Sequence, residues 1–216
     1  MTNIRGLYVI VDPDACAGRY PVEVARLALE GGASVLQWRD KRREKGDQLP
    51  QALAIRELCV QHGALFIAND HVDLALVLGA DGVHLGQHDL PVELVRPLVP
   101  DAFIIGVSTN NAEEARRAEE HGASYVAVGS VFPTASKEAE RTRPSSPERV
   151  REVKAAVRLP VVAIGGINAS NIDQVLAAGA DAVAVISAVC SAEDPRAAAE
   201  ELAGRFGTRD AHERAR

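Results

Sequence analysis

The chain has 216 residues, 47% of them hydrophobic, and a formal net charge of −6. That length carries one large core, with an α/β barrel available at the short end of its size range. The acidic balance excludes the basic footprint of a nucleic-acid binder and a polybasic membrane anchor, and no apolar stretch approaches the length of a membrane span.

The first apolar run is LYVIV at 7–11. It is too short for a signal peptide and runs into charge at DPD. With three cysteines, Cys16, Cys59 and Cys190, odd in number and without metal-ligand spacing, it points to a cytoplasmic protein in a reducing compartment. A helical stretch follows at 21–31. Then comes a phrase that returns three times: Gly32-Ala33-Ser34-Val35, Gly79-Ala80-Asp81-Gly82-Val83, Gly122-Ala123-Ser124-Tyr125-Val126 and Gly179-Ala180-Asp181-Ala182-Val183. Each copy closes an amphipathic stretch and opens an apolar run. The Gly suits the left-handed residue that ends a helix, the Ala packs closely, and a strand begins. Further apolar runs lie between the copies, at 65–68, 103–107 and 160–165. With 7–11 this makes eight strands in four pairs. Helical periodicity fills the gaps at 47–62, 71–79, 90–97, 111–121, 145–157, 168–178 and 194–206. Strict alternation implies a parallel sheet, and eight units with a fourfold phrase imply closure as a single-domain (β/α)₈ TIM barrel over 1–206. An open doubly wound sheet would more often carry G-x-G-x-x-G after its first strand, and none is present. Residues 207–216 are polar and are expected to form a disordered tail.

Chemistry in such a barrel collects at the carboxyl ends of the strands. Read in order, those ends carry Gln37-Trp38-Arg39-Asp40-Lys41, Asn69-Asp70, Gly86-Gln87-His88-Asp89, Ser108-Thr109, the segment from Gly129 to Lys137, Gly165-Gly166-Ile167-Asn168 and Ile186-Ser187. Asp70 and Asp89 end neighbouring strands, so both carboxylates can reach one hard cation. Mg²⁺ fits, because it keeps water and takes phosphate oxygens as further ligands. The competing reading makes each Asp a helix N-cap. Gln37, Arg39 and Lys41 alternate along an extended segment and so share a face, where two cations suit a diphosphate. Arg39, at a buried strand end, needs a partner, whereas Arg42, Arg43 and Lys45 read as a solvated run. Trp38 is expected between barrel and helices. Gly165-Gly166 and Ile186-Ser187 form a candidate phosphate cup of backbone N–H groups; the alternative is a Gly-Gly turn with an N-cap at Asn168. The stretch 130–147 is long and aperiodic, as lids are. His84, within a strand, reads as a hydrogen-bonded core residue.

These residues resemble the thiamine phosphate synthase family, and the resemblance runs from LYVIVD at 7–12 to AVAVISAVCSAEDP at 183–195. The family's Q-x-R-x-K stands here as Gln37, Arg39 and Lys41, its Asn-Asp as Asn69-Asp70, and its second metal Asp as Asp89. G-V-S occupies 106–108, V-F-P-T-x-T-K occupies 131–137 with Ser136 for the second Thr, and A-I-G-G-I occupies 163–167. The loop after Lys137 lacks the family's Gly-Leu pair and carries SSPERV.

The resemblance implies a transferase that joins 4-amino-2-methyl-5-pyrimidinylmethyl diphosphate to 4-methyl-5-(2-phosphoethyl)thiazole, or its carboxylated form. The products are thiamine phosphate and pyrophosphate, through a dissociative, carbocation-type mechanism. It further implies Mg²⁺ at Asp70 and Asp89, diphosphate contacts from Arg39, Lys41, Asn69, Ser108 and Lys137, and Gln37 on the aminopyrimidine. Thr134 and Ser136 are implied on the thiazole side, and Gly166, Ile186 and Ser187 on the thiazole phosphate. The partners implied are these small molecules, with no nucleic acid and no membrane; a homo-oligomer is compatible with the sequence. Two rivals remain at this point. One is an isomerase like the thiazole tautomerases, which share the fold but use a His where Ser108 stands. The other is a non-catalytic thiazole-phosphate binder.

Overall fold

A computed structural model describes residues 4–134 and 146–213, with side chains as far as residue 207. Eight parallel strands close into one barrel in sequence order. They are β1 (Gly6–Val11), β2 (Val35–Trp38), β3 (Leu65–Asn69), β4 (Gly82–Leu85), β5 (Ile104–Thr109), β6 (Tyr125–Val128), β7 (Val161–Ile164) and β8 (Ala182–Val185). The helices around them are α1 (Pro21–Glu30), α2 (Lys45–His62), α3 (Val72–Leu78), α4 (Val92–Val95), α5 (Ala112–Glu120), α6 (Pro147–Ala156), α7 (Ile172–Ala177), α8 (Ser187–Cys190) and α9 (Pro195–Glu213). The TIM barrel expected from the alternation is the fold observed.

Several elements differ from the sequence reading, among them the helix expected over 90–97, of which only Val92–Val95 is α-helical. Helix α7 starts at Ile172 rather than 168, and its N-cap is Asn171, not Asn168. Helix α9 continues to Glu213, past the expected end at 206. Helix α8 is a single turn, too short to show periodicity, and was not expected.

Alternation along each strand sorts the apolar residues into two cores. Outward residues such as Val9, Leu36, Phe66, Val83 and Val183 pack under the helices, with Trp38 fully buried among them. Trp38 donates its indole N–H to Gln48 Oε1 at 3.0 Å, which satisfies its one polar atom. Inward residues form a second cluster of Ile4, Tyr8, Val35, Ile67, Ile104 and Tyr125, joined by Ala127, Ala182 and Ala184. A buried Ile or Val side chain is worth roughly 1.5–3 kcal/mol. The large inward side chains plug the lower barrel, while Ala127 and Ala184 leave space above them.

The recurring phrase closes the bottom of the barrel. Its glycines, 32, 79, 122 and 179, all have positive φ, between 60° and 99°. The alanine after each returns its N–H to the carbonyl five residues back, as Ala80 does to Ala75 at 2.9 Å, so each helix ends in a Schellman motif. The next residue ties strands into pairs through its backbone N–H: Ser34 to Leu7, Asp81 to Phe66, Ser124 to Ile105 and Asp181 to Val161. The side chains of Asp81, Ser124 and Asp181 accept the N–H of Phe66, Ile105 and Val161 in return. The four pairs legible in the sequence are therefore held by four clasps, of which those at Asp81, Ser124 and Asp181 are reciprocal.

Candidate active site

Two adjoining cavities open at the carboxyl ends of the strands. The smaller, about 270 Å³, lies over β2 to β6 and is lined by Gln37, Asn69, Asp70, His84, Asp89 and Ser108 among others. The larger, about 780 Å³, lies over β6, β7, β8 and β1, and its lining includes Asp12, Thr134, Gly165, Gly166 and Ser187. Arg39, Lys41, Ile164, Ala184 and Ile186 line both. Every expected site residue that is described therefore reaches one cavity or the other. Ser136 and Lys137 lie outside the described residues, as does most of the expected lid.

Asp70 follows β3 with φ of 60°, a left-handed conformation that Asp tolerates better than most residues. Its backbone N–H is held by the carbonyl of His84 at 2.8 Å, and its Oδ2 accepts from Lys41 Nζ at 2.5 Å. Asp89 Oδ2 accepts the Gly86 N–H at 2.7 Å, which folds the turn after β4 back on itself. Neither Asp caps a helix: α3 is preceded by His71 and α4 by Pro91. The N-cap alternative is thus set aside. The two carboxylates touch. Burial raises both, but at Asp70 it is outweighed by the hydrogen bonds from Lys41 and Asp89 together with the Lys41 charge, and the pKa falls below the ordinary carboxylate value. At Asp89 burial and the adjacent Asp70 charge together win, and its pKa rises. No group of three or more His, Cys, Asp or Glu that could hold a metal occurs among the described residues. Two adjacent carboxylates are hard oxygen donors of the chemical type that Mg²⁺ takes.

Arg39 finds its expected partner in Asp12, which is 7% exposed at the end of β1 and bonds Arg39 Nη1 directly. The sequence reading did not name Asp12. The signal was available, because Asp12 follows the carboxyl end of a strand as Asp70 does. The solvated run holds for Arg42 and Lys45, which are exposed, and needs correction only at Arg43. Arg43 is half-buried, bonds Asp40 at 2.5 Å and lies 5.6 Å over the Trp38 ring, while Arg42 pairs with Asp14 and Lys45 with Asp73.

Beyond β7, Gly165 and Gly166 have φ of 100° and 66°. A Cβ on Gly166 would fall 2.5 Å from the Pro133 carbonyl oxygen, so only glycine lets the turns after β6 and β7 meet. His84 is hydrogen-bonded as expected, yet its ring faces the smaller cavity rather than the packed core. Tyr8 and Tyr125 line the same cavity and were also missed.

Residues 7–189 match the family model described as thiamine monophosphate synthase. The chain belongs to this family. The thiamine-phosphate synthase of Methanospirillum hungatei is 48% identical over 198 residues, covering 92% of this chain and 96% of that protein. The thiamine-phosphate synthase of Methanocella arvoryzae is 50% identical over 196 residues, covering 91% and 92%. The solved structure of a thiamine phosphate pyrophosphorylase from Pyrococcus furiosus superposes with a TM-score of 0.84 at 44% identity, covering 93% of this chain and 94% of that one. A 3-hexulose-6-phosphate synthase, 18% identical with a TM-score of 0.65, is similar in fold. No described helix is long and apolar enough to cross a membrane.

Proposed function

We propose that the chain is a transferase that makes thiamine phosphate, releasing pyrophosphate as it joins the pyrimidinylmethyl diphosphate to the thiazole phosphate. Family membership supports the reaction, and one observation supports its layout. The carboxylate pair and the glycine cup occupy adjoining cavities that share Arg39 and Lys41, so each phosphorylated substrate has its own end and the reacting atoms meet between them.

In this reading Asp70 and Asp89 would hold Mg²⁺, and the ion would supply charge stabilisation to the departing diphosphate. Arg39 and Lys41 add cations on the same side, held in place by Asp12 and Asp70. Asn69 and Ser108 donate to the diphosphate, and Gln37 orients the aminopyrimidine. On the thiazole side Gly166, Ile186 and Ser187 hold the phosphate, and Thr134 lies against the ring. Ser136 and Lys137 join these groups on the strength of the family motif. The pyrimidine's amino group releases electrons as the C–O bond to diphosphate breaks, and the thiazole nitrogen attacks the carbocation, so no protein base is needed. The test is pyrophosphate release with both substrates, with and without Mg²⁺. Mg²⁺-dependent release coupled to thiamine phosphate formation is expected; release without thiamine phosphate would overturn the reading.

A further inference from the structure

Five polar side chains from five strands form a continuous chain across the barrel at the floor of the smaller cavity. Gln37 Nε2 donates to Tyr8 Oη at 2.7 Å. The two phenol oxygens of Tyr8 and Tyr125 are 3.0 Å apart. Tyr125 Oη lies 3.0 Å from His84 Nδ1, and His84 Nε2 lies 2.9 Å from Ser108 Oγ. The sheet register explains how the chain forms. Gly106 on β5 pairs with both His84 on β4 and Tyr125 on β6. A Cβ on Gly106 would lie 2.0 Å from the Tyr125 ring, so its absence lets the phenol cross β5 to reach His84. Gln37 and Ser108 stand at the ends and line the cavity.

Each link has one proton to place. A phenol carries a single O–H, and a neutral imidazole donates from one nitrogen and accepts at the other. Burial pushes the Tyr8 and Tyr125 phenols well above their ordinary pKa, so both keep their protons. Tyr8, accepting from Gln37, passes its proton toward Tyr125. Tyr125 passes its own toward His84 Nδ1. His84 then carries N–H on Nε2 and donates to Ser108, whose hydroxyl proton is left for the cavity. If the Gln37 amide is turned over, every link reverses, and Ser108 must then give its proton to His84. The two ends therefore cannot be chosen separately.

We propose that this chain runs one way, from Gln37 to Ser108, and that Tyr8, Tyr125 and His84 are positioning residues which make the substrate contacts at its two ends interdependent. The inference rests on the proposed reaction. An amino group on the pyrimidine needs an acceptor, which Gln37 Oε1 supplies, and a diphosphate needs donors, which Ser108 supplies. One polarity satisfies both. A pyrimidine diphosphate with an oxo group in place of the amino group would demand the opposite polarity at Gln37 and would take the donor away from the diphosphate. The chain thus selects the ring substituent and the leaving-group contact together.

Two measurements test this. In the full-length ligand-free chain, ¹⁵N NMR of labelled histidines, with His84 identified by its loss in His84→Gln, should show the neutral Nε2–H tautomer. A predominant Nδ1–H tautomer would overturn the polarity, whether or not the enzyme turns over. Kinetically, Tyr125→Phe cuts the chain without changing its shape, and Tyr8→Phe cuts it one link earlier. Either should lower kcat/KM for the pyrimidine diphosphate by about three- to tenfold, the scale of one hydrogen bond, while the KM for thiazole phosphate stays within about twofold. The preference for the amino over the oxo substrate, read as binding competition, should shrink in both variants. An unchanged preference would overturn the coupling. Absence of thiamine phosphate formation by the wild type would instead defeat the proposed reaction, leaving the tautomer measurement to judge the chain.

Discussion

Asp70 and Asp81 stand at opposite ends of helix α3 and do opposite things. Asp81, at the bottom of the barrel, accepts the Phe66 N–H at 2.8 Å and gives its own N–H to the Phe66 carbonyl, so its groups are spent on holding β4 to β3. Asp70, at the top, sits in a left-handed conformation against a second carboxylate, with the Lys41 ammonium as its counter-charge. The same contrast holds around the barrel. Bottom-rim polar groups are paired with backbone by a repeated device, while the top rim sets two carboxylates, Asp70 and Asp89, against each other beside open space. A fold gains stability from the first arrangement and function from the second, because crowded charge is relieved when a ligand arrives.

The sharpest way to break the contrast is to remove a top-rim carboxylate. Asp89→Asn should reduce Mg²⁺-dependent turnover by about 100-fold, the upper scale for disturbing a metal site, while Tm holds or rises because Asp70 loses a repelling neighbour. Asp70→Asn should be equally damaging to turnover. Full activity of either variant at low Mg²⁺ would dissolve the metal site.

Next in size is the glycine cup. In Gly166→Val the side chain is driven toward the Pro133 carbonyl and into the larger cavity. Binding of thiazole phosphate should weaken about tenfold, in line with losing one charge-assisted hydrogen bond, and pyrimidine diphosphate much less. Equal weakening of both substrates would mean general damage to the rim.

A bottom-rim cut should read the other way. Asp181 accepts the Val161 N–H at 2.7 Å and Lys154 Nζ at 2.6 Å. Asp181→Ala strands that N–H and should lower stability by about 1–3 kcal/mol, measured by denaturant titration, with kcat unaltered. A kinetic defect without loss of stability would show that the two rims are not separate in role.

The sequence makes these two rims unequally legible. The bottom is written as a literal repeat, because one backbone geometry recurs four times and each recurrence needs the same glycine. The top is legible where chemistry demands a residue type just past a strand, which is why Asp70, Asp89, Arg39 and Gly166 could be named. Most of what escaped lies within the strands. Tyr8, His84 and Tyr125 fall on the inward face by simple alternation, as Gln37 and Ser108 do. A buried histidine is more often core than cavity, however, and only the three-dimensional register shows that Gly106 opens the path between His84 and Tyr125. Asp12, just past β1, was legible by the same rule as Asp70; only its pairing with Arg39 needs β1 beside β2.

The smallest expected effect isolates the repeat itself. Gly79 ends α3 at φ 60° and ψ 39°, with its N–H on Ala75 and Leu76. A Cβ there would meet nothing nearer than the tip of Arg56, at 3.9 Å, so space is not the constraint. The constraint is conformational: an L-residue with a side chain pays about 1 kcal/mol to sit in the left-handed region, and Asn pays less because its short amide can bond locally. Gly79→Ala should therefore lose about 1 kcal/mol of stability and Gly79→Asn a smaller amount, with kcat and both KM values unchanged in each. Equal losses from Ala and Asn would point to contact with Arg56 instead of backbone strain. A change in KM for either substrate would show that the clasp at the bottom of β4 is felt at Asp89, on the loop beyond its other end, and that the division between the rims is only partial.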